Sequence, residues 1–391
     1  MSAAGEKPYR IYRGGRTKGK VPLQGRDQSG RGGPPGDGRG AEPRVRTRRR
    51  RRWSWKRRLG VTLLVLVLAV IVWGALGYLA VRGGVKDANR RLPAGTDAAL
   101  TAQNGLLLSH PSTILLLGTD HSTLSARATD RHSDSMMLLR TDPARHRLVY
   151  LSIPRDLRVP IPGQGDDKIN AAMQIGGAPL AIRTVHEFTG LPLNHIVIVD
   201  FTDFVKLIDA VGGVDINVTA PILSDRFDCP YSATRCQSWR GWRFRKGMQH
   251  MDAHRALIYS RVRVNQLNPA ESDLTRGERQ QQVMQAVLSK LVSPGTFFRL
   301  PFIGGSLVKP LSTDLSTWDL MQLAWVKFRA SAGSTLHCRL GGESLGNGYL
   351  TSSEHNFGVI QMVRGNSAPQ PPPPGSGPFG PGCVVGNQHF K

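Results

Sequence analysis

Acidic and basic side chains recur through one segment of the 391-residue chain in an arrangement suited to phosphoryl transfer. The run opens at Asp120 and Asp134 and continues through Arg155, Asp156, Arg158 and Lys168. It ends with Arg261, Arg263, Arg276, Arg279 and Gln280. Asp120 and Asp134 supply hard oxygens for a divalent cation such as Mg2+, which keeps several waters and also takes substrate phosphate. Guanidinium groups add planar forks of donors that grip a phosphate in two places, as Lys cannot. Together they can bind a pyrophosphate and neutralise the charge that builds as a phosphorus exchanges one oxygen for another.

Met alone, each of these residues has a plainer role. An Asp after a strand caps a turn, and an Arg on the surface pairs with a carboxylate. Ordered succession separates this set from coincidence. The islands are Ile114-Leu-Leu-Leu-Gly-Thr-Asp120, Ser133-Asp-Ser-Met-Met-Leu138, Leu151-Ser-Ile-Pro-Arg-Asp156 and Lys168-Ile-Asn-Ala-Ala172. They continue with Gly176-Gly177, Ile208-Asp-Ala-Val-Gly-Gly-Val-Asp215, Gly247-Met-Gln-His-Met-Asp252 and Arg276-Gly-Glu-Arg-Gln280. In that order they resemble the LytR-CpsA-Psr family, membrane-anchored enzymes that move a glycan from a polyprenyl-pyrophosphate carrier onto the bacterial cell wall.

The resemblance spans roughly Ser112 to Val292. It implies an α/β domain with a central mixed β-sheet covered by helices. It also implies metal binding by Asp120 and Asp134, and pyrophosphate binding by Arg155, Arg158, Lys168, Arg261, Arg263, Arg276, Arg279 and Gln280. Asp134, Arg155 and Arg276 take catalytic roles, with Mg2+ as cofactor and a hydroxyl of the peptidoglycan acceptor as nucleophile. Asp134 and Asp156 both stand as general base. The match departs from the family pattern at His132, where Arg is usual and Arg131 stands one earlier. It departs again at Ala253, in place of a common Gly, and in a longer stretch from Arg263 to Arg276. Two rival functions use the same residues: a hydrolase that passes the lipid pyrophosphate to water, and a non-enzymatic regulator that senses wall precursors.

Positioning such a site requires a sheet with helices on its faces. Short apolar runs at Thr113 to Leu117, Ser135 to Leu139, Leu148 to Ile153 and Ile196 to Phe201 read as strands, and Val214 to Val218 as another. Asp120 then closes the first strand and Asp134 precedes the second, so both fall at one sheet edge, where α/β proteins bind ligands. Helical periodicity marks Ala171 to Phe188, Arg276 to Leu291 and Leu315 to Phe328. A further helix runs from Thr202, as N-cap, to a stop at Gly212-Gly213. Arg261 and Arg263 alternate with Val262 and Val264, which in an extended segment puts both guanidiniums on one face. On the following helix Arg276 and Gln280 share a face, with Asp273 placed to cap it. Met173, Ile182, Val185 and Phe188 are candidates to line an apolar slot for the carrier, or else ordinary core.

The N-terminal fifth has another character. Met1 to Arg58 holds 19 Lys and Arg against 4 Asp and Glu, much of the net charge of +24. The 23 residues from Leu59 to Val81 carry no charged side chain; as a helix they span roughly 35 Å, enough for a bilayer core of about 30 Å. The apolar run is too long for a signal peptide, whose core is about 7 to 15 residues. The basic flank puts the N-terminus in the cytoplasm and the rest of the chain outside; Trp53, Trp55 and Tyr78 suit the interfaces, and Trp73 either shares that role or sits deeper in the span. Arg runs without interleaved aromatics give bases nothing to stack on, so topogenic and lipid-facing charge is favoured over nucleic-acid binding.

The expected layout is a basic disordered cytoplasmic tail at 1–58, a transmembrane helix at 59–81 and a stalk at 82–111. A catalytic domain at 112–340 and a Gly/Pro-rich extension at 341–391 follow. Ser224 to Arg245 reads as a loop. Cys229, Cys236, Cys338 and Cys383 lie in the exported part, where an even number favours disulfides over zinc. Pairing neighbours in sequence is the simplest of three connectivities.

Overall fold

The computed structural model describes residues 54–119, 133–268, 273–346, 348–374 and 380–386, without the side chains of Asp134, Asp273 and Leu274. The basic tail before Ser54, Asp120, and the His132 departure lie outside the described residues.

Helices α1 (Trp55–Arg90) and α2 (Thr96–Ala99) lead into β1 (Ser112–Thr119), β2 (Ser133–Asp142) and β3 (Arg147–Ser152). A hairpin of β4 (Arg158–Ile161) and β5 (Gly165–Lys168) precedes α3 (Ala171–Thr189), β6 (His195–Asp200) and α4 (Phe201–Val211). Next come β7 (Val214–Val218), β8 (Ile222–Leu223), α5 (Ala233–Ser238), β9 (Arg243–Phe244) and β10 (Gly247–Met251). The helices α6 (Ala253–Arg261), α7 (Asp273–Leu291) and α8 (Pro294–Val308) precede β11 (Ser312–Thr313) and α9 (Thr317–Arg329). The last described elements are β12 (Leu336–Arg339), β13 (Gly342–Ser344), β14 (Leu350–Ser352), α10 (Asn356–Arg364) and β15 (Gly382–Val385).

The central sheet is mixed, as expected, in the order β11-β6-β1-β2-β3-β12-β15. β1 pairs with β6, and β3 with β12, in parallel, while β2 runs antiparallel between β1 and β3. The carboxyl ends of β1, β3, β6 and β12 therefore share one edge, together with the start of β2. Alternation along each strand feeds two cores. Leu115, Leu117, Met136, Leu138, Val149 and Leu151 pack under α3 and α10. Ile114, Met137, Leu139, Leu148 and Tyr150 face Met284, Leu288 and Leu323 of α7 and α9. Each Leu or Ile so enclosed stabilises the fold by about 1.5–3 kcal/mol.

Several sequence expectations are corrected. Phe201 opens α4 rather than closing β6; Thr202 lies inside the helix, and Asp200 caps it, its carboxylate accepting from the Asp203 N–H at 2.7 Å. A carboxylate two residues earlier takes the capping role expected of Thr202 and satisfies an orphan donor of the first turn. Val214–Val218 is a strand, but it pairs with β10 in a separate ribbon. The stretch 82–111 is no free stalk: α1 continues to Arg90 with Val85 and Ala88 buried, and the Thr101 N–H donates to Leu193 O at 2.7 Å. The extension beyond 341 is not solvated as a whole. Val359 and Val363 of α10 lie in the core, and β15 forms the sheet edge against β12. Four residues of strand are too few to show a period, and their pairing comes from a partner 45 residues away in sequence.

α1 itself is 36 residues long, and its 18-residue apolar window has no buried residue, so by length and composition it can cross a membrane. Cysteines pair as neighbours: Cys229 with Cys236, and Cys338 with Cys383, the latter directly opposite each other on β12 and β15. Closing the 45-residue separation restricts the unfolded chain more than closing a separation of 7. On the loop-entropy account the two crosslinks are worth about 4 and about 2.5 kcal/mol. Thermal unfolding of the full chain in detergent should show the larger loss for Cys338→Ala/Cys383→Ala. An equal or larger loss for Cys229→Ala/Cys236→Ala would show that the sheet edge does not depend on its crosslink.

Candidate functional site

The site forms where α7 crosses the carboxyl edge of the sheet. Gly277 of α7 faces the sheet with no side chain, and Gly118 leaves room for Ser135 on the neighbouring strand. A Cβ on Gly277 would stand 2.9 Å from Ser152 Oγ, and one on Gly118 would stand 3.0 Å from Ser135 Cβ. With hydrogens there, α7 lies close enough for Ser135 Oγ on β2 to donate to Gln280 Oε1 at 2.9 Å. Gln281, the next residue, donates to Cys338 O at 3.0 Å and fixes the helix to β12.

Three cavities meet at this bridge. A polar one of about 190 Å³ is lined by Ser135, Ser152, Arg155, Asp156, Arg276 and Gln280. A second, of about 270 Å³, lies among Phe201, Phe227, Arg261, Arg263, Arg276 and Gln280. The third is an apolar slot of about 270 Å³ between the sheet and the helices α7 and α9, walled by residues such as Leu116, Met137, Met284, Leu288 and Leu323. Gln280 lines all three, and Arg276 both polar ones. A ligand with a long hydrocarbon tail and a diphosphate head matches this junction.

The sequence-derived residues fall into three groups. Arg155, Arg261, Arg263, Arg276 and Gln280 converge. Arg276 is 7% exposed, so its charge faces the cavities from a largely desolvated position. Arg155 pairs with Asp156 at 3.3 Å, and Asp156 in turn accepts from Lys168 Nζ at 2.7 Å. Burial pushes the Asp156 carboxyl up, but the Lys168 hydrogen bond and the charges of Arg155 and Lys168 outweigh it and hold the group below its ordinary range. Asp156 therefore stays ionised and is a weak base; its contacts orient Arg155 and Lys168.

Arg261 and Arg263 are not on one extended strand. Arg261 ends α6, stacked 4.9 Å over Phe201 and paired with Asp228, and Arg263 follows in the loop. Helix formation changes the reason they converge: both edge the same cavity because the chain turns out of α6, not because they alternate.

Arg279 and Arg158 stand apart from the cavities. Arg279 is 4% exposed and donates to Val262 O at 2.6 Å, so it braces the turn that carries Arg261 and Arg263. On a helix, residues three apart diverge by about 60°, which sends Arg279 away from the face of Arg276 and Gln280. Arg158 lies on β4 facing Asp166 at 3.6 Å, half exposed. Of the two readings of Met173, Ile182, Val185 and Phe188, ordinary core holds and the slot does not. Ile182 and Val185 are fully buried with Met173 and Phe188 beside them, but under α3 on the opposite sheet face.

The metal residues, Asp120 and the side chain of Asp134, lie outside the described residues, as does the Asp273 cap. Among the described residues no group of three His, Cys, Asp or Glu side chains could hold a metal. The register pairs Thr119 with Ser133, the residues just before Asp120 and Asp134, at the edge where the cavities open.

Sequence reasoning missed Ser135, Ser152, Glu278 and Arg339. Arg339 Nη1 donates to Glu278 Oε1 at 2.9 Å, with the arginine side chain 6% exposed, on the wall of the first polar cavity. Ser135, Ser152 and Glu278 sit inside the sequence islands beside the charged residues; Arg339 arrives from β12 with no local signal.

Comparison with known proteins places the chain in a family. The sequence model of the LytR_cpsA_psr family matches residues 86–336. A polyisoprenyl-teichoic acid–peptidoglycan teichoic acid transferase TagU of Enterococcus faecalis is 29% identical over 269 residues, covering 68% of this chain and 82% of that protein. TagU of Bacillus cereus is 31% identical over 267 residues, 63% and 79% of the two chains. Among solved structures, one described as TagT bound to LI-WTA superimposes with a TM-score of 0.52 at 25% identity, covering 68% of this chain and 94% of that one. Bacillus subtilis TagV gives 0.52 at 26%, with 66% and 97% covered. By the extent of the family match and the shared fold, this chain belongs to the LytR_cpsA_psr family.

Proposed function

We propose that the chain is a membrane-anchored phosphotransferase that moves a glycopolymer from a polyprenyl-pyrophosphate carrier onto peptidoglycan. Its relatives carry the name of polyisoprenyl-teichoic acid–peptidoglycan transferases, and a fold neighbour binds LI-WTA. The observation that carries the reading is the junction itself: Ser135 and Gln280 line both the apolar slot and the arginine-walled cavity. A tail in the slot brings its pyrophosphate to Arg155, Arg276, Arg261 and Arg263.

A hydroxyl oxygen of the acceptor glycan attacks the phosphorus that bears the donor glycan. The bond from that phosphorus to the bridging oxygen breaks, polyprenyl phosphate leaves with the electron pair, and the hydroxyl proton passes to a base. Fixed guanidiniums in a desolvated site stabilise the added charge without reorganising. Asp156, held ionised by two cations, is a positioning residue for Arg155 rather than that base. Asp120 and Asp134 have hard oxygens that suit a divalent cation such as Mg2+, and their neighbours Thr119 and Ser133 are paired at the cavity edge. When bound, the cation supplies further positive charge opposite the phosphates. The exposed apolar window of α1 and the basic flank before it support a single span with the N-terminus cytoplasmic and the site outside.

Transfer is measured with full-length protein, a polyprenyl-pyrophosphate glycan and peptidoglycan. Arg155→Ala and Arg276→Ala should lower kcat/KM about 10²- to 10³-fold, with the melting point of Arg155→Ala close to wild type. Retained transfer by both variants rejects the assignment, and release of free phosphates unchanged by acceptor points instead to a hydrolase. Met284→Trp, which fills the slot, should raise KM for the long-chain carrier and spare a short-chain analogue; equal effects on both would place the tail elsewhere. The depressed Asp156 carboxyl contributes stability that is complete above its ordinary value of 3.8 and is lost as pH falls through the folded value. Asp156→Asn should therefore melt below wild type at pH 7, with the gap narrowing as the pH falls below 3.8. A gap independent of pH would contradict the ion-pair account.

A further inference from the structure

One face of α8 is aromatic and uncovered. Phe297, Phe298 and Phe302 are 53%, 70% and 86% exposed, an unusual density of large apolar side chains for a surface facing water. The same helix packs along α1. The Trp73 ring packs at a tilt against Phe297 with centroids 4.4 Å apart, and Trp73 Nε1 donates to Phe298 O at 3.3 Å. Higher up, a Cβ on Gly84 would meet Gly305 O at 2.7 Å and one on Gly304 would meet Val81 Cγ2 at 2.9 Å, so hydrogens at these positions let the two backbones touch. Close helix contact through small residues is what association inside a bilayer favours.

The register along α1 gives a depth. Trp73 lies eight residues before Val81, the last of the charge-free run, which at 1.5 Å per residue is about 12 Å. If α1 spans the membrane, the start of α8 sits that far below the end of the span. Its first turn leaves few donors to satisfy. Pro294 has no N–H to satisfy, the Thr296 N–H donates to Ser293 Oγ, and the Phe297 N–H donates to Ser293 O. The helix's single cation, Arg299, extends toward the Gly212 turn of the domain.

We propose that the N-terminal half of α8 is a second membrane element, inserted among the acyl chains of the leaflet through which α1 leaves. It holds the domain against the bilayer surface, so that a membrane-resident carrier reaches the slot without leaving the lipid phase. This rests on the reading of α1 as a membrane span. The occupant is lipid rather than protein because the face continues from that span.

The four native cysteines are all in disulfides, so an introduced cysteine is the sole free thiol. Full-length Phe298→Cys, Phe302→Cys, Leu68→Cys and Phe357→Cys are labelled with bimane and reconstituted in phosphatidylethanolamine/phosphatidylglycerol vesicles containing lipids with acyl-chain nitroxides. Labels at 298, 302 and 68 should lose most of their emission, position 298 to a deeper nitroxide than 302, while the label at exposed Phe357 on α10 keeps its own. Quenching at 68 with 298 and 302 no more quenched than 357 overturns the insertion of α8 and leaves the anchor standing. No quenching at 68 overturns the anchor, and the insertion with it. A label at 298 that is blue-shifted, indifferent to nitroxide and dependent on the protein-to-lipid ratio shows a second copy on this face and also overturns the proposal.

Discussion

The contact on which the rest depends is the seating of α7 on the carboxyl edge of the sheet, where Gly277 faces Ser152 and Gln280 accepts from Ser135. One helix then serves every part of the site. Its first turns present Arg276 and Gln280 to the polar cavities, and its later turns present Met284 and Leu288 to the apolar slot. Its flank ties to β12 through Gln281 and through the Glu278–Arg339 pair. A methyl group at position 277 would stand 2.9 Å from Ser152 Oγ, so that hydroxyl would have to turn aside in the wall of the first polar cavity.

The two faces of the sheet differ in how completely they are filled. Beneath α3, Ile182 and Val185 interlock with Leu115 and Leu138 at full burial. Beneath α7 and α9 the packing leaves the slot. Dense interiors stabilise a fold, and an apolar gap forgoes that contact energy unless a ligand fills it. The slot is thus a local concession in stability, placed beside cations that the chain has already oriented. Arg155 leans on Asp156, Arg261 on Asp228 and Arg339 on Glu278. Such pairs restrict long side chains before a ligand arrives and lower the entropy cost of ordering them on binding.

Much of the fold was legible because it rests on periodic patterns. Strands β1, β2 and β3 are apolar runs of branched and long side chains, and α7 and α9 show their stripes. The arginines were legible as a set of residue types. Their grouping was not. Arg155 and Arg276 line one cavity although 120 positions separate them in sequence, whereas Arg279, three residues from Arg276, points into the protein to brace a turn. α8 escaped the reading because Pro294, Pro301 and paired glycines hide a helix that its packing on α1 sustains. β15 escaped because a strand of four residues is specified by its partner and a disulfide, not by its own pattern.

By itself, then, the amino-acid order determined the class of chemistry, the apolar span and the alternation that makes a two-faced sheet, since these follow from side-chain type and local repeat. Tertiary structure alone decided which sheet face keeps a gap, which arginines border it and which are spent on bracing the chain. Those outcomes depend on contacts between distant segments and on a few tenths of an ångström at Gly118 and Gly277, quantities that no local window of sequence contains.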